Sequence, residues 1–106
     1  MLEPLSAGLE MPLLRVLRVR GEVLVVVCDR ELLGKTLKRR GMKLEVKESF
    51  YRGREASIEE CLRALRNATI ANLVGYIVDH AVRAGLIDRR SIFRFQGVPH
   101  AQLVKM

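Results

Sequence analysis

The chain has 106 residues and a mass of 12.0 kDa, room for one ordinary domain and not for two. Its apolar fraction of 49% excludes a disordered tail, and the 5% aromatic content without Trp calls for a core of Val, Leu, Ile and Ala. Nineteen Lys and Arg against twelve Asp and Glu leave a net charge of +7 and a pI near 10.1, which favours anionic partners and says nothing of fold.

Residues 1–12 read as an N-terminal extension or a misplaced start, with a single domain expected over 13–106. The first fourteen residues carry Glu3 and Glu10 and no base, the wrong charge for a signal peptide. Leu13–Val19 and Val23–Cys28 flank Arg20-Gly21-Glu22, the pattern of a β-hairpin. The second run is apolar on both faces, so a central strand is expected there. At six residues it falls far short of the roughly 20 that a membrane helix needs. Asp29 stands where it can cap a short helix through Leu33, with Gly34 as the stop. Met42–Glu48 alternates cleanly, as a half-buried strand with a charged outer face does. Tyr51–Arg54 reads as a loop.

Ser57 with Glu60 is a capping box, and Ile58, Cys61, Leu62 and Leu65 form one apolar stripe. Asn67 and Thr69 then break the helix. A second helix is expected, because Ile70, Leu73, Val74, Ile77, Val78, Ala81 and Ala84 keep helical period as far as Gly85. Ile92–Phe95 and Ala101–Val104 are the last two strands. The expected class is α+β: an antiparallel or mixed sheet of about five strands, in the order ββ(short α)βααββ, with two helices packed on one face.

Four blocks of the chain are similar to a known family. Val27-Cys28-Asp29, Glu31–Lys35, Ala68–Gly75 and Gly97–Gln102 resemble the archaeal family known as domain of unknown function 424. The resemblance runs from about Leu13 to the C-terminus. It implies a small archaeal cytoplasmic protein and supplies no catalytic residues to carry over. The N-terminal extension and the basic stretch at Lys38-Arg39-Arg40 depart from it.

The charge is concentrated. Residues 35–54 hold eight bases (Lys35, Lys38, Arg39, Arg40, Lys43, Lys47, Arg52 and Arg54) against Glu45 and Glu48. That is the footprint of a phosphate-binding patch, and Tyr51 beside it is a candidate to stack on an unpaired base. The alternative is a solvated edge strand guarded by charge. Gly34-Lys35-Thr36 lacks the upstream glycine of a phosphate loop, since Asp29 stands in its place, so an NTPase is rejected.

Cys28 and His100 are the one nucleophile and base pair available, with Asp29 or Asn72 to orient the imidazole; the competing reading is a buried thiol and a turn-bracing histidine. Thr69 and Asn72, taken as lying at a helix start, are candidates to hold an anion together with His100 and Gln102; the competing reading is capping. Two His and two Cys without ligand spacing argue against a metal, and no cofactor is expected. The function these features favour is RNA or ribosome association in translation or RNA processing, without catalysis and without a membrane. The alternatives are a protein-interaction module or homodimer that uses the basic edge strand, and a small hydrolase or transferase built on Cys28 and His100.

Overall fold

The valine-rich run after Gly21 becomes the second strand of the sheet, and its burial organises the rest. The computed structural model of the protein describes residues 11–105; the proposed extension therefore lies, apart from Met11 and Pro12, outside the described residues. Pro12 is already part of the sheet's margin, its carbonyl accepting from the Ala56 amide at 3.0 Å. β1 (Leu13–Val19) and β2 (Glu22–Cys28) form the expected hairpin, closed by the pair Val19–Glu22. Arg20 and Gly21 both have positive φ, 51° and 81°, which matches the twist of a two-residue turn to that of its strands. Val25, Val26, Val27 and Cys28 are all fully buried, so this strand is covered on both sides as its composition requires. Each fully buried valine there contributes about 2 kcal/mol.

After a 3₁₀ turn over Arg30–Leu32 come β3 (Thr36–Arg39) and β4 (Met42–Glu45), then a one-turn helix α1 (Glu48–Tyr51) and the two-residue β5 (Arg54–Glu55). α2 (Ile58–Arg66) starts at the predicted capping box. The Ser57 hydroxyl accepts from the Glu60 amide at 3.0 Å, and the Glu60 carboxylate accepts from the Ser57 amide at 3.3 Å. β6 (Ile70–Val74), α3 (Ile77–Arg83), a 3₁₀ turn over Arg89–Ser91, β7 (Phe93–Phe95) and β8 (Val98–Val104) complete the chain.

The main sheet has six strands in the order β5-β1-β2-β6-β8-β7. Only β2 and β6 run parallel; the other neighbours are antiparallel. The class is the α+β mixed sheet expected, with more strands among the described residues than the five or so read from the sequence, since β3 and β5 were not foreseen and the loop expected at Tyr51–Arg54 is divided between α1 and β5. Residues 70–74 form a strand rather than the first turns of the second helix. Ala71 and Leu73 face one layer while Asn72 and Val74 face the other, and Gly75 then stops the strand at φ 106°. An added Cβ at Gly75 would stand 2.3 Å from the Asp29 carboxylate, so only glycine fits.

α2 and α3 pack on one face, as expected, around Cys61, Leu65, Ile77, Val78 and Ala81. The opposite face is only half covered by the described residues. There the β3–β4 hairpin and α1 enclose Leu13, Val26, Cys28, Leu37, Val46, Tyr51, Val74 and Phe95. Beyond that lid, Ile70 and Val104 stay exposed on the same face. No helix among the described residues is long and apolar enough to cross a membrane.

Candidate nucleic-acid interface

The strand registers on the half-covered face assemble the site. Asn72 of β6 stands opposite Gln102 of β8, and Val74 opposite His100, so Asn72, His100 and Gln102 share one surface. Tyr51 closes the group from above. Its hydroxyl donates to the Asn72 Oδ1 at 2.6 Å, and His100 Nε2 lies 3.2 Å from the same oxygen. Since Oδ1 is an acceptor, His100 Nε2 carries a proton and donates to it. Burial holds the imidazole below its ordinary value near 6.5, so it is neutral at pH 7 and its Nδ1 is an acceptor. No unpartnered side-chain nitrogen or oxygen is buried among the described residues, so Asn72 Nδ2 and His100 Nδ1 both reach solvent. Next to Gln102 they make a short array of donors and acceptors on an otherwise apolar sheet.

Two of the four residues grouped as a ligand pocket are thus in contact, and Gln102 adjoins them. Thr69 is elsewhere. Its hydroxyl accepts from the Val23 amide at 2.8 Å and donates to the Val23 carbonyl at 3.2 Å, bracing the start of β6 against β2. The helix start assumed for an anion does not exist, because Thr69 and Asn72 precede and occupy a strand.

Cys28 and His100 do not form a pair. Val74 separates them in the register, two strand spacings or roughly 10 Å. The Cys28 thiol is fully buried and donates to the Tyr51 carbonyl at 3.8 Å. Burial first, and then the Asp29 and Glu31 charges, push it up to about 12, the reverse of an activated nucleophile. Asn72 does reach the imidazole, but Asp29 turns away, its carboxylate accepting from the Tyr76 amide at 3.1 Å.

The basic stretch divides. On the outer face of the hairpin Lys38 stands opposite Lys43, and both Lys43 and Lys47 lie 3.7 Å from Glu45. Arg52 pairs with Glu48, and Arg54 with Glu60 at 3.1 Å, so these two arginines leave the patch. Lys35, Lys38, Arg39 and Arg40 form no ion pair among the described residues. β3 and β4 form a two-stranded sheet of their own.

Tyr51 is no stacking platform, because α1 folds its ring under the hairpin to 3% exposure. The exposed ring at this site is Phe93 instead, 53% exposed and paired with His100 across β7 and β8. The Arg39 guanidinium sits 5.6 Å from its centroid and donates to the Arg94 carbonyl at 3.3 Å. Lys38 fixes the hairpin to this corner through its amide, which donates to the Gln96 side chain at 2.7 Å. The signal for Phe93 was present in Phe93-Arg94-Phe95, whose alternation puts both rings on one face of the strand.

A cleft of about 180 Å³ at the ends of β2 and β6 is lined by Asp29, Glu31 and Tyr76, and its acidic rim does not suit phosphate. Among the described residues no three His, Cys, Asp or Glu side chains come together as metal ligands do.

The family model described as "Protein of unknown function (DUF424)" matches residues 17–106. The chain belongs to that family. Its fold is shared by a crystal structure of an uncharacterized conserved protein from Methanopyrus kandleri, an archaeon; the two are 28% identical, with a TM-score of 0.72 over 90% of this chain and 93% of that one. No functionally curated protein matches the sequence. The blocks that resembled the DUF424 family at the sequence level contribute Asn72, His100 and Gln102 to one surface.

Proposed function

We propose that this DUF424 protein binds single-stranded RNA on the half-covered face of its sheet. The observation that carries the reading is the exposed Phe93 ring beside Arg39, at the meeting point of the hairpin tip and the Asn72–His100–Gln102 array. An unpaired base stacks on an exposed aromatic ring. Its edge then lies over the side-chain donors and acceptors of the neighbouring strands, as in other sheets that read RNA. The phosphates run toward Lys38, Arg39 and Arg40, whose cations pair with no acid among the described residues. Duplex DNA offers no unstacked base to this surface and binds only through charge.

Fluorescence anisotropy with a labelled oligouridylate at several salt concentrations tests the proposal. Phe93→Ala weakens binding about tenfold or more, the worth of one stacked base. The triple variant Lys38→Ala, Arg39→Ala, Arg40→Ala lowers the slope of log K against log salt by about 2, three phosphate contacts on a single strand. Binding that both variants leave unchanged, or no binding at low salt, refutes it.

A further inference from the structure

Among the described residues, the outer edge of β1 is open over most of its length. β5 pairs only with Leu13 and Leu14, because the chain arrives there from α1 and turns in at Arg52–Gly53. The hairpin closed by Val19–Glu22 sets which backbone groups face β2. Residues 13, 15, 17 and 19 exchange hydrogen bonds with that strand, so the amides and carbonyls of Val16 and Arg18 point outward. No strand among the described residues takes them up. Beside this edge lies a groove of about 510 Å³ between β1 and α2, lined by Leu14, Val16, Arg18, Arg54, Ala64 and Asn67 among others.

We propose that this edge accepts an acidic, extended peptide of a partner protein as an additional strand. The peptide continues the antiparallel line that β5 begins, and four outward backbone groups give it the means to pair. Along an added strand every second side chain drops into the groove. There Val16 and Ala64 offer apolar contact, and Arg18, which forms no ion pair among the described residues, offers charge. The Arg20 side chain extends the positive rim past the end of the strand and is likewise without an ion pair among the described residues. On the β1 edge of a second copy the same arginines would meet their own counterparts, so the occupant is acidic and of another chain. This edge and the RNA-binding corner are on different strands at opposite sides of the sheet, and each stands without the other.

The probe is a fluorescein-labelled heptapeptide of alternating Glu and Val, with alternating Lys and Val as the control, titrated against the full chain. The acidic peptide binds, the basic one does not, and the amide protons of Val16 and Arg18 exchange more slowly in the complex. Val16→Pro removes an outward amide without touching the ladder to β2 and weakens binding about tenfold. Arg18→Glu, at an exposed position, weakens the acidic peptide to the same degree and admits the basic one. Absence of binding, or binding that both variants leave unaltered, overturns the proposal. So does slowed exchange of Val16 and Arg18 with oligouridylate instead of the peptide, which assigns the edge to nucleic acid.

Discussion

Replacing Tyr51 with phenylalanine removes one oxygen and leaves the ring in place. In the wild-type protein that oxygen donates to Asn72 Oδ1 at 2.6 Å, while the ring is 3% exposed and meets Phe50 edge-on at 5.0 Å. Burial, followed by the Cys28 thiol, pushes the phenol up to about 12, so it remains a donor throughout the neutral range. Tyr51→Phe keeps the packing and loses one hydrogen bond, a cost of about 1 kcal/mol. With an m-value of about 1.5 kcal/mol/M the urea midpoint falls by about 0.7 M. Tyr51→Ala loses the ring as well and costs about 3–5 kcal/mol. The Asn72 amide is then held by His100 alone, so the fixed Nε2–H tautomer of His100 gives way to a mixture, visible in its ring ¹⁵N shifts. Equal midpoints for wild type and Tyr51→Phe, or an unaltered His100 tautomer, contradict the role given to this hydrogen bond.

Gly75→Ala forces a left-handed residue and drives a Cβ into the Asp29 carboxylate, breaking its bond to the Tyr76 amide. The expected loss is about 3 kcal/mol in urea denaturation, and a loss below that of Tyr51→Phe refutes the steric argument. Cys28 and Cys61, both fully buried and pushed up to about 12 chiefly by burial, resist iodoacetamide in the native protein and react after unfolding. Mass spectrometry showing rapid native alkylation of Cys28 reopens the thiol chemistry set aside above. Burial lowers the His100 imidazole from its ordinary 6.5, so the unfolded chain takes up a proton before the folded one does. Stability is therefore full above that value and declines as pH falls through it toward the folded value. Between about pH 7.5 and about pH 5.5 His100→Gln flattens the profile; an identical slope in wild type and variant refutes the assignment.

Much of the fold is legible from local pattern. The β1–β2 hairpin shows in Gly21 between two apolar runs, and α2 in Ser57 and Glu60; the last two strands show in the residues around Gly97. β6 is not legible in the same way. Ile70, Leu73, Val74, Ile77 and Val78 satisfy a helical period, and with Ile70 and Val74 apolar on the face that Asn72 shares, no clean alternation is set against it. What decides is the parallel register with β2 and the glycine at φ 106°, neither of which is local. Tyr51 looked exposed because its neighbours are charged, and one turn of helix sufficed to turn it inward. The site was half visible. The blocks holding Asn72, His100 and Gln102 drew notice by their wording, but their contact depends on pairing between strands 28 residues apart in sequence, as the Asn72–His100 separation records. The charge count likewise could not show that Arg52 and Arg54 spend themselves on Glu48 and Glu60 while Arg39 lies over Phe93.

The central claim is where RNA lies on the sheet, and an NMR titration of the ¹⁵N-labelled protein with oligouridylate at low salt measures it most directly. The expected shifts fall on Arg39, Asn72, Phe93, His100 and Gln102, and added salt reverses them. Shifts confined to the face carrying α2 and α3, or none at all, contradict it.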